Sequence, residues 1–135
     1  MDVDELIERF ELFDDWEERY AYIIQMGRKL PDFPEEHRTE ANKVRGCVSQ
    51  VWMISATEEG QVSIQGDSDA FIVKGLVAIL LALYSRKTPA EIAAIDIESV
   101  FDQLGLAEHL TPNRRNGFFS MVQRIRSYGL AASAS

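Results

Sequence analysis

Apolar residues recur at helical spacing through the N-terminal part of the chain. One stripe consists of Leu6, Phe10 and Phe13, and the next of Trp16, Tyr20, Ile23, Ile24, Gly27 and Leu30. A period near 3.6 residues is typical of a helix with one face against a core. We therefore predict two helices, the second with Asp14 as its N-cap and Glu17 completing a capping box. Pro31 and Pro34 should end this helix, and residues 31–46 are predicted to form an irregular connection.

The pattern changes to that of a β-hairpin in the middle of the chain. Residues 48–57 are rich in β-branched side chains and include a continuous apolar run at residues 51–54, which is typical of a strand buried on both faces. Residues 58–60 have turn composition, and residues 61–65 alternate apolar and polar side chains as a half-exposed partner strand does. Residues 66–69 are predicted to end that strand and to cap the following helix with a side-chain oxygen.

Helical patterns return after the hairpin. A strongly apolar helix is predicted to reach about Arg86 and to lie across the sheet. Thr-Pro pairs at residues 88–89 and 111–112 should open two further helices, because Thr is a favourable N-cap and Pro suits the first helical position. A short helix is predicted over about residues 98–104, and Gly129 is expected to end the last helix.

This order of elements predicts an α+β fold in which a small antiparallel β-sheet, built on one hairpin, packs against several α-helices. The chain has 135 residues and is 46% hydrophobic, as expected of one packed domain and not of a disordered chain. We predict a single domain over residues 1–135, with an Ala- and Ser-rich frayed tail over about residues 131–135.

Charge and cysteine content exclude several classes of protein. The formal net charge of -8 argues against a nucleic-acid ligand, because that affinity rests on Lys and Arg. One cysteine and two distant histidines cannot form a four-ligand zinc site or hold an iron–sulfur cluster unaided, so no metal site is expected. No apolar stretch is long enough for a membrane span, and the first residues lack a signal-peptide pattern. We expect a cytoplasmic protein whose partners are other proteins.

Cys47 is the candidate reactive group. It lies at the predicted junction between the loop and the first strand, where solvent can reach it. Lys43 and Arg45 would favour the thiolate and so lower the pKa of Cys47. Gly46 permits backbone conformations, or a close approach by a partner, that a side chain would forbid. The alternative is that Cys47 is a small buried apolar residue that continues the strand pattern.

Two arginines oppose the helix dipole at the start of the last predicted helix. Arg114 and Arg115 fall in and just after its first turn, where each exposed cation costs about 0.3–1 kcal/mol. A residue that opposes a local structural preference, as these cations do at a helix N-terminus, often belongs to a functional site. Pairing of either arginine with Glu108 or Asp69 would explain the same feature structurally.

Three ordered motifs resemble those of the SufE family, and the match covers nearly the whole chain. They are VRGCVSQVW at residues 44–52, QGDSDA at residues 65–70 with IVKGL at residues 72–76, and HLTPNRRNG at residues 109–117. SufE is the sulfur acceptor that works with a cysteine desulfurase in iron–sulfur cluster assembly. The resemblance implies a fold like that of the scaffold protein IscU.

The resemblance also implies roles for individual residues. Cys47 is implied to accept persulfide sulfur from a SufS-type desulfurase, which stimulates that enzyme, and to pass sulfur towards a SufBCD-like scaffold complex. Arg114 is implied to stabilise the thiolate or persulfide anion, or to hold the loop. The residues expected at the partner-binding loop are Arg45, Gly46, Ser49, Gln50, Asp69 and Arg115. The chain is expected to be an accessory protein without a cofactor, since the pyridoxal phosphate belongs to the desulfurase. A homodimer is left open.

Three other functions remain compatible with the residues. The first is that of a CsdE-type acceptor, which serves a different desulfurase. The second is that of a protein-binding regulator in which Cys47 is structural. The third is that of a thiol-dependent hydrolase that uses Cys47 with His109.

Overall fold

The computed structural model describes residues 2–134, and within them it confirms the predicted α+β class. Seven helices are present in that range: α1 (Val3–Glu11), α2 (Trp16–Arg28), α3 (Phe71–Tyr84), α4 (Pro89–Ala94), α5 (Ile97–Gln103), α6 (Leu106–His109) and α7 (Pro112–Ser133). The strands are β1 (Val51–Glu58) and β2 (Gln61–Ser68). Two short 3₁₀ turns, Glu35–His37 and Glu40–Asn42, lie in the connection between α2 and β1. No helix in the described range is long and apolar enough to cross a membrane.

The two strands form an antiparallel hairpin that runs from Val51 opposite Ser68 to its turn. Glu59 and Gly60 make that turn with φ angles of 53° and 80°, as tight hairpins with the sheet's right-handed twist require. The predicted start of β1 and the predicted end of β2 are both wrong. β1 begins at Val51 and not at Val48, and β2 continues to Ser68 instead of ending at residue 65. The N-cap of α3 is consequently Ala70, which provides no side-chain cap.

Helix capping agrees with the local sequence at the starts of α4 and α7, and differs from it at the start of α2 and the end of α7. The capping box of α4 is formed, with Thr88 and Glu91 bonding reciprocally. The N-cap of α2 is Asp15, one residue later than predicted, and its Oδ1 accepts from the backbone N–H of Glu18 at 2.9 Å. Gly129 does not end the last helix, because α7 extends to Ser133 and so makes most of the predicted frayed tail helical.

The buried helix α3 organises the core. Ten of its residues are buried, which agrees with its nearly continuous apolar sequence. α2 crosses one side of α3 at Gly27 and Gly75, where a Cβ on Gly27 would lie 2.7 Å from the Gly75 nitrogen. α7 contributes Phe118 and Ile125, among other side chains, to the same core. Residues 45–50, which include Cys47, lie where the starts of β1, α3 and α7 come together.

Candidate functional site

Residues 45–50, here called the cysteine loop, connect the 3₁₀ segment to β1. The loop is closed at its base, where the Val44 N–H donates to the Val51 carbonyl at 2.9 Å. Arg124 of α7 reinforces the incoming chain by donating to the carbonyls of Ala41 at 2.8 Å and Lys43 at 3.3 Å. The loop is therefore anchored before its first residue, and Cys47 lies within it and not at the predicted junction with the first strand.

Asp69 fastens the other end of the cysteine loop. Its Oδ1 accepts from the backbone N–H of Gln50 at 3.0 Å, and its Oδ2 lies 3.3 Å from Gln50 Nε2. The Asp69 N–H also donates to the Gln50 carbonyl at 3.3 Å. Asp69 thus lies beside the cysteine loop, as the family resemblance implied, although it fastens Gln50 and does not cap α3.

Two glycines let the cysteine loop lie directly on α7. Gly46 has φ +90°, and a Cβ at that position would overlap the side chain of Ser120. Gly117 lies beneath Cys47, and a Cβ on Gly117 would be 3.4 Å from the Cys47 sulfur. The Cys47 Sγ lies 3.5 Å from the Gly117 carbonyl oxygen, within the range of a weak S–H···O hydrogen bond. Cys47 is half-buried, which is intermediate between the two alternatives predicted from the sequence, an accessible thiol and a fully buried one.

A cavity of about 290 Å³ opens beside the Cys47 sulfur. Its wall includes Cys47, Val48 and Ser49 from the loop, Val73 and Leu76 from α3, and Arg114 from α7. Apolar side chains predominate, and no histidine or carboxylate lines it within the described part of the chain. The cavity can therefore shelter a sulfur group from water, with one guanidinium as its only formal charge.

Burial raises the pKa of the Cys47 thiol in this conformation. The prediction that Lys43 and Arg45 would lower it is wrong here. Lys43 Nζ is 2.9 Å from Glu40 Oε1, and the Arg45 side chain is exposed to solvent. At neutral pH the resting sulfur is accordingly a neutral thiol, since an apolar surrounding disfavours the thiolate.

The two arginines of α7 differ in their contacts. Arg114 lines the cavity, whereas Arg115 Nη2 donates to the Ala107 carbonyl at 2.7 Å. Neither arginine forms an ion pair within residues 2–134, so the predicted alternative of pairing with Glu108 or Asp69 is not observed there. Arg114 thus remains a cation near the positive end of the α7 dipole and next to the cysteine cavity.

His109 lies apart from the cysteine cavity. Its ring stacks on Trp16, with 4.4 Å between ring centroids and 8° between planes. His109 is not among the residues that line the cavity next to Cys47. The described residues therefore give no geometric support to a Cys47–His109 hydrolase.

Sequence reasoning missed a cluster of charged groups around the buried Asp67. Asp67, predicted to be a capping residue, is buried in β2 and pairs with Arg38 at 2.6 Å and Lys74 at 3.2 Å. The Arg38 guanidinium lies 5.1 Å from the Trp52 ring. Burial alone would raise the pKa of Asp67, but the hydrogen bonds from Arg38, Ser68 and Lys74 hold it below its usual value. No sequence spacing links Arg38 to Asp67, and their contact depends on how the 3₁₀ segment folds over the hairpin.

No group of three or more His, Cys, Asp or Glu residues that could hold a metal ion occurs in residues 2–134.

Comparison with known proteins identifies the family. The SufE profile, described as an Fe-S metabolism associated domain, matches residues 4–129. An uncharacterized SufE-like protein of Rhizobium etli is 49% identical over 98% of this chain and 93% of its own length. One of Rhizobium meliloti is 48% identical over 93% of this chain and 92% of its own. The fold is shared with a hypothetical protein from Thermus thermophilus solved in solution, with a TM-score of 0.81, 21% identity and coverage of 98% and 96% of the two chains. The chain belongs to the SufE family, and its role lies in iron–sulfur metabolism and sulfur transfer.

Proposed function

We propose that this chain accepts sulfur from a SufS-type, pyridoxal-phosphate-dependent cysteine desulfurase as a persulfide on Cys47. The observation that carries the proposal is the position of the single cysteine. Cys47 lies within a loop that is fastened at its two ends, beside a mostly apolar cavity that Arg114 also lines. In this proposal the chain is an accessory protein of the cytoplasm, and the cofactor belongs to the desulfurase.

The transfer is an exchange of one sulfur atom between two thiols. Cys47 first loses its proton, and its thiolate attacks the outer sulfur of the desulfurase persulfide. A sulfur–sulfur bond forms on Cys47 while the donor's own sulfur–sulfur bond breaks. The donor thiolate leaves and takes up a proton. Donor persulfide and Cys47 thiol thus become donor thiol and Cys47 persulfide, with no external oxidant or reductant.

The geometry of the cysteine loop suits a thiol that is protected until the donor arrives. The neutral resting thiol reacts slowly with small molecules, because the thiolate is the nucleophile. Cys47 can reach a donor when the loop tip leaves α7, while the contacts at Val44 and Gln50 keep both ends of the loop in place. After transfer, the cavity of about 290 Å³ has room for one more sulfur atom.

Arg114 is proposed to stabilise the persulfide anion in that cavity. The guanidinium and the positive end of the α7 dipole both favour a negative charge. This role accounts for a cation that has no ion-pair partner within residues 2–134.

The remaining loop residues are proposed to serve the partner. Arg45 is an exposed cation, Ser49 lines the cavity, and Gly46 provides the positive φ that the loop needs. Gln50 and Asp69 limit how far the loop can open, and Arg115 shapes the neighbouring surface through its bond to α6. The sulfur is then passed towards a SufBCD-like scaffold complex.

Desulfurase stimulation tests this function. Alanine release by a SufS-type desulfurase is measured with cysteine as substrate, with and without this chain. We expect wild-type protein to raise the rate and folded Cys47→Ser to leave it at the basal level, because the serine cannot accept sulfur. Equal stimulation by the serine variant would contradict the proposal and favour a regulator with a structural cysteine. A CsdE-type acceptor would instead respond to a different desulfurase in the same assay.

A further inference from the structure

Four large apolar side chains are strongly exposed in residues 2–134; one of them lies in the cysteine loop and another begins the helix that follows Asp69. They are Leu12 at 79%, Val48 at 80%, Phe71 at 71% and Leu130 at 73% exposure. Val48 follows Cys47 directly. Phe71 begins α3 two residues after Asp69, the residue that is bonded to Gln50 of the loop.

Phe71 faces outward on the helix turn that closes the cysteine cavity. Val73, in the same turn of α3, lines that cavity with Cys47 and Val48 and is only 8% exposed. Residues two apart on a helix point about 200° apart. The Phe71 ring is therefore directed to solvent while Val73 covers the cavity.

The fold itself gains little from a phenylalanine at this position. Phe71 lies outside the buried core, and it stacks on no other aromatic ring within the described residues. Phenylalanine also has only moderate helix propensity. Apolar surface in water is unfavourable in proportion to its area, so a partner that covers the ring would recover free energy.

The sulfur-transfer chemistry indicates which partner covers this surface. Transfer brings the Cys47 sulfur to bonding distance of the donor persulfide, so the donor must cover Val48. A typical interface buries about 800 Å² on each partner, more than a loop tip offers. The adjoining start of α3 therefore comes under the donor as well. Arg45 and Arg114 are exposed cations without ion pairs in residues 2–134, so a donor surface that carries carboxylates would be complementary to them.

We propose that Val48 and Phe71 form an apolar docking patch for the cysteine desulfurase, with Phe71 as its aromatic anchor. This inference rests on the sulfur-acceptor function proposed above. The patch fits a donor surface that offers an apolar recess next to its persulfide-bearing cysteine and carboxylates around that recess. Aromatic side chains that become fully covered at the centre of an interface carry a large share of the binding energy.

The test compares Phe71→Ala with Leu130→Ala, a matched truncation of an equally exposed side chain near the end of α7. The affinity of each variant for a SufS-type desulfurase is measured by calorimetry, and persulfide formation on Cys47 is measured against variant concentration. We expect Phe71→Ala to bind about tenfold more weakly, with an unchanged rate at saturation, and Leu130→Ala to match wild type. Unchanged melting temperature and Cys47 alkylation in both variants would show that the fold and the thiol are intact.

Four results would overturn the inference. The first is that Phe71→Ala binds the desulfurase as tightly as wild type does while the wild-type protein takes up sulfur. This result would overturn the docking inference and would leave the sulfur-acceptor function intact. A lower saturated rate with unchanged affinity would assign Phe71 to the transfer step and not to docking. Loss of a wild-type homodimer in Phe71→Ala, seen by sedimentation without loss of desulfurase affinity, would make a second copy the occupant. Absence of any sulfur uptake by wild type would overturn the acceptor function and the docking inference together.

Discussion

Replacement of Gly46 by alanine is expected to expose Cys47 without unfolding the protein. Gly46 has φ +90°, a conformation that costs an L-residue about 1–2 kcal/mol. The added Cβ would also overlap the Ser120 side chain on α7. Both costs fall on the resting loop, because an open loop can relax its backbone and leave Ser120. The backbone cost alone raises the population of open loops about 5- to 30-fold, at 1.4 kcal/mol per factor of ten.

Iodoacetamide labelling of Cys47 measures this change at neutral pH. When opening and closing are fast relative to labelling, the labelling rate follows the open population. Gly60→Ala is the matched control, because Gly60 has φ +80° but no atom within 4 Å of its would-be Cβ and lies in the hairpin turn. We expect the labelling rate to rise in Gly46→Ala and to stay at the wild-type value in Gly60→Ala. Unchanged labelling in Gly46→Ala, or an equal rise in both variants, would refute the account of the resting loop.

Three further predictions concern charged and titratable groups. Because burial raises the pKa of Cys47, the pH at which labelling reaches half its maximum rate should lie above ~8.5 in the native protein and near ~8.5 in denaturant. A lower midpoint in the native protein than in the denatured protein would contradict this prediction. Asp67→Asn should lower the free energy of unfolding at pH 7 by about 1–3 kcal/mol in urea titrations, because Arg38 loses its charged partner. The pKa of Asp67 is lowered on folding, so its stabilisation is present above pH ~3.9 and is lost as the pH falls through the lowered value; a difference from wild type that grew as the pH fell below ~3.9 would refute this. Arg114→Ala should slow persulfide formation about two- to fivefold with an unchanged melting temperature, whereas gross unfolding would favour a structural role.

Features that depend on neighbouring residues could be predicted from the sequence. The capping box of α4 needs only Thr88 and Glu91, three residues apart, and the structure has it as predicted. The hairpin turn at Glu59 and Gly60 and the apolar character of α3 are likewise local signals, and both are confirmed. Together they suffice for the α+β class and the order of the elements.

Features that depend on distant contacts could not be predicted. Burial raises the pKa of Cys47, and one of the contacts that bury it is with Gly117, which lies 70 residues away along the chain. The nearby cations at Lys43 and Arg45 were the visible local signal, and they pointed in the wrong direction. The helix end predicted at Gly129 failed for a similar reason. A Cβ there would lie 3.3 Å from Ile92 Cγ2, so the glycine permits close packing of α7 on α4.

Mass spectrometry of the intact protein tests the central claim most directly. The chain is incubated with a SufS-type desulfurase, pyridoxal phosphate and cysteine, separated without reductant and weighed. The account predicts a gain of one sulfur, about 32 Da, that reductant removes and that Cys47→Ser does not acquire. Absence of the adduct with an active desulfurase of the right type, or an equal adduct on the serine variant, would contradict the assignment of Cys47 as the sulfur acceptor.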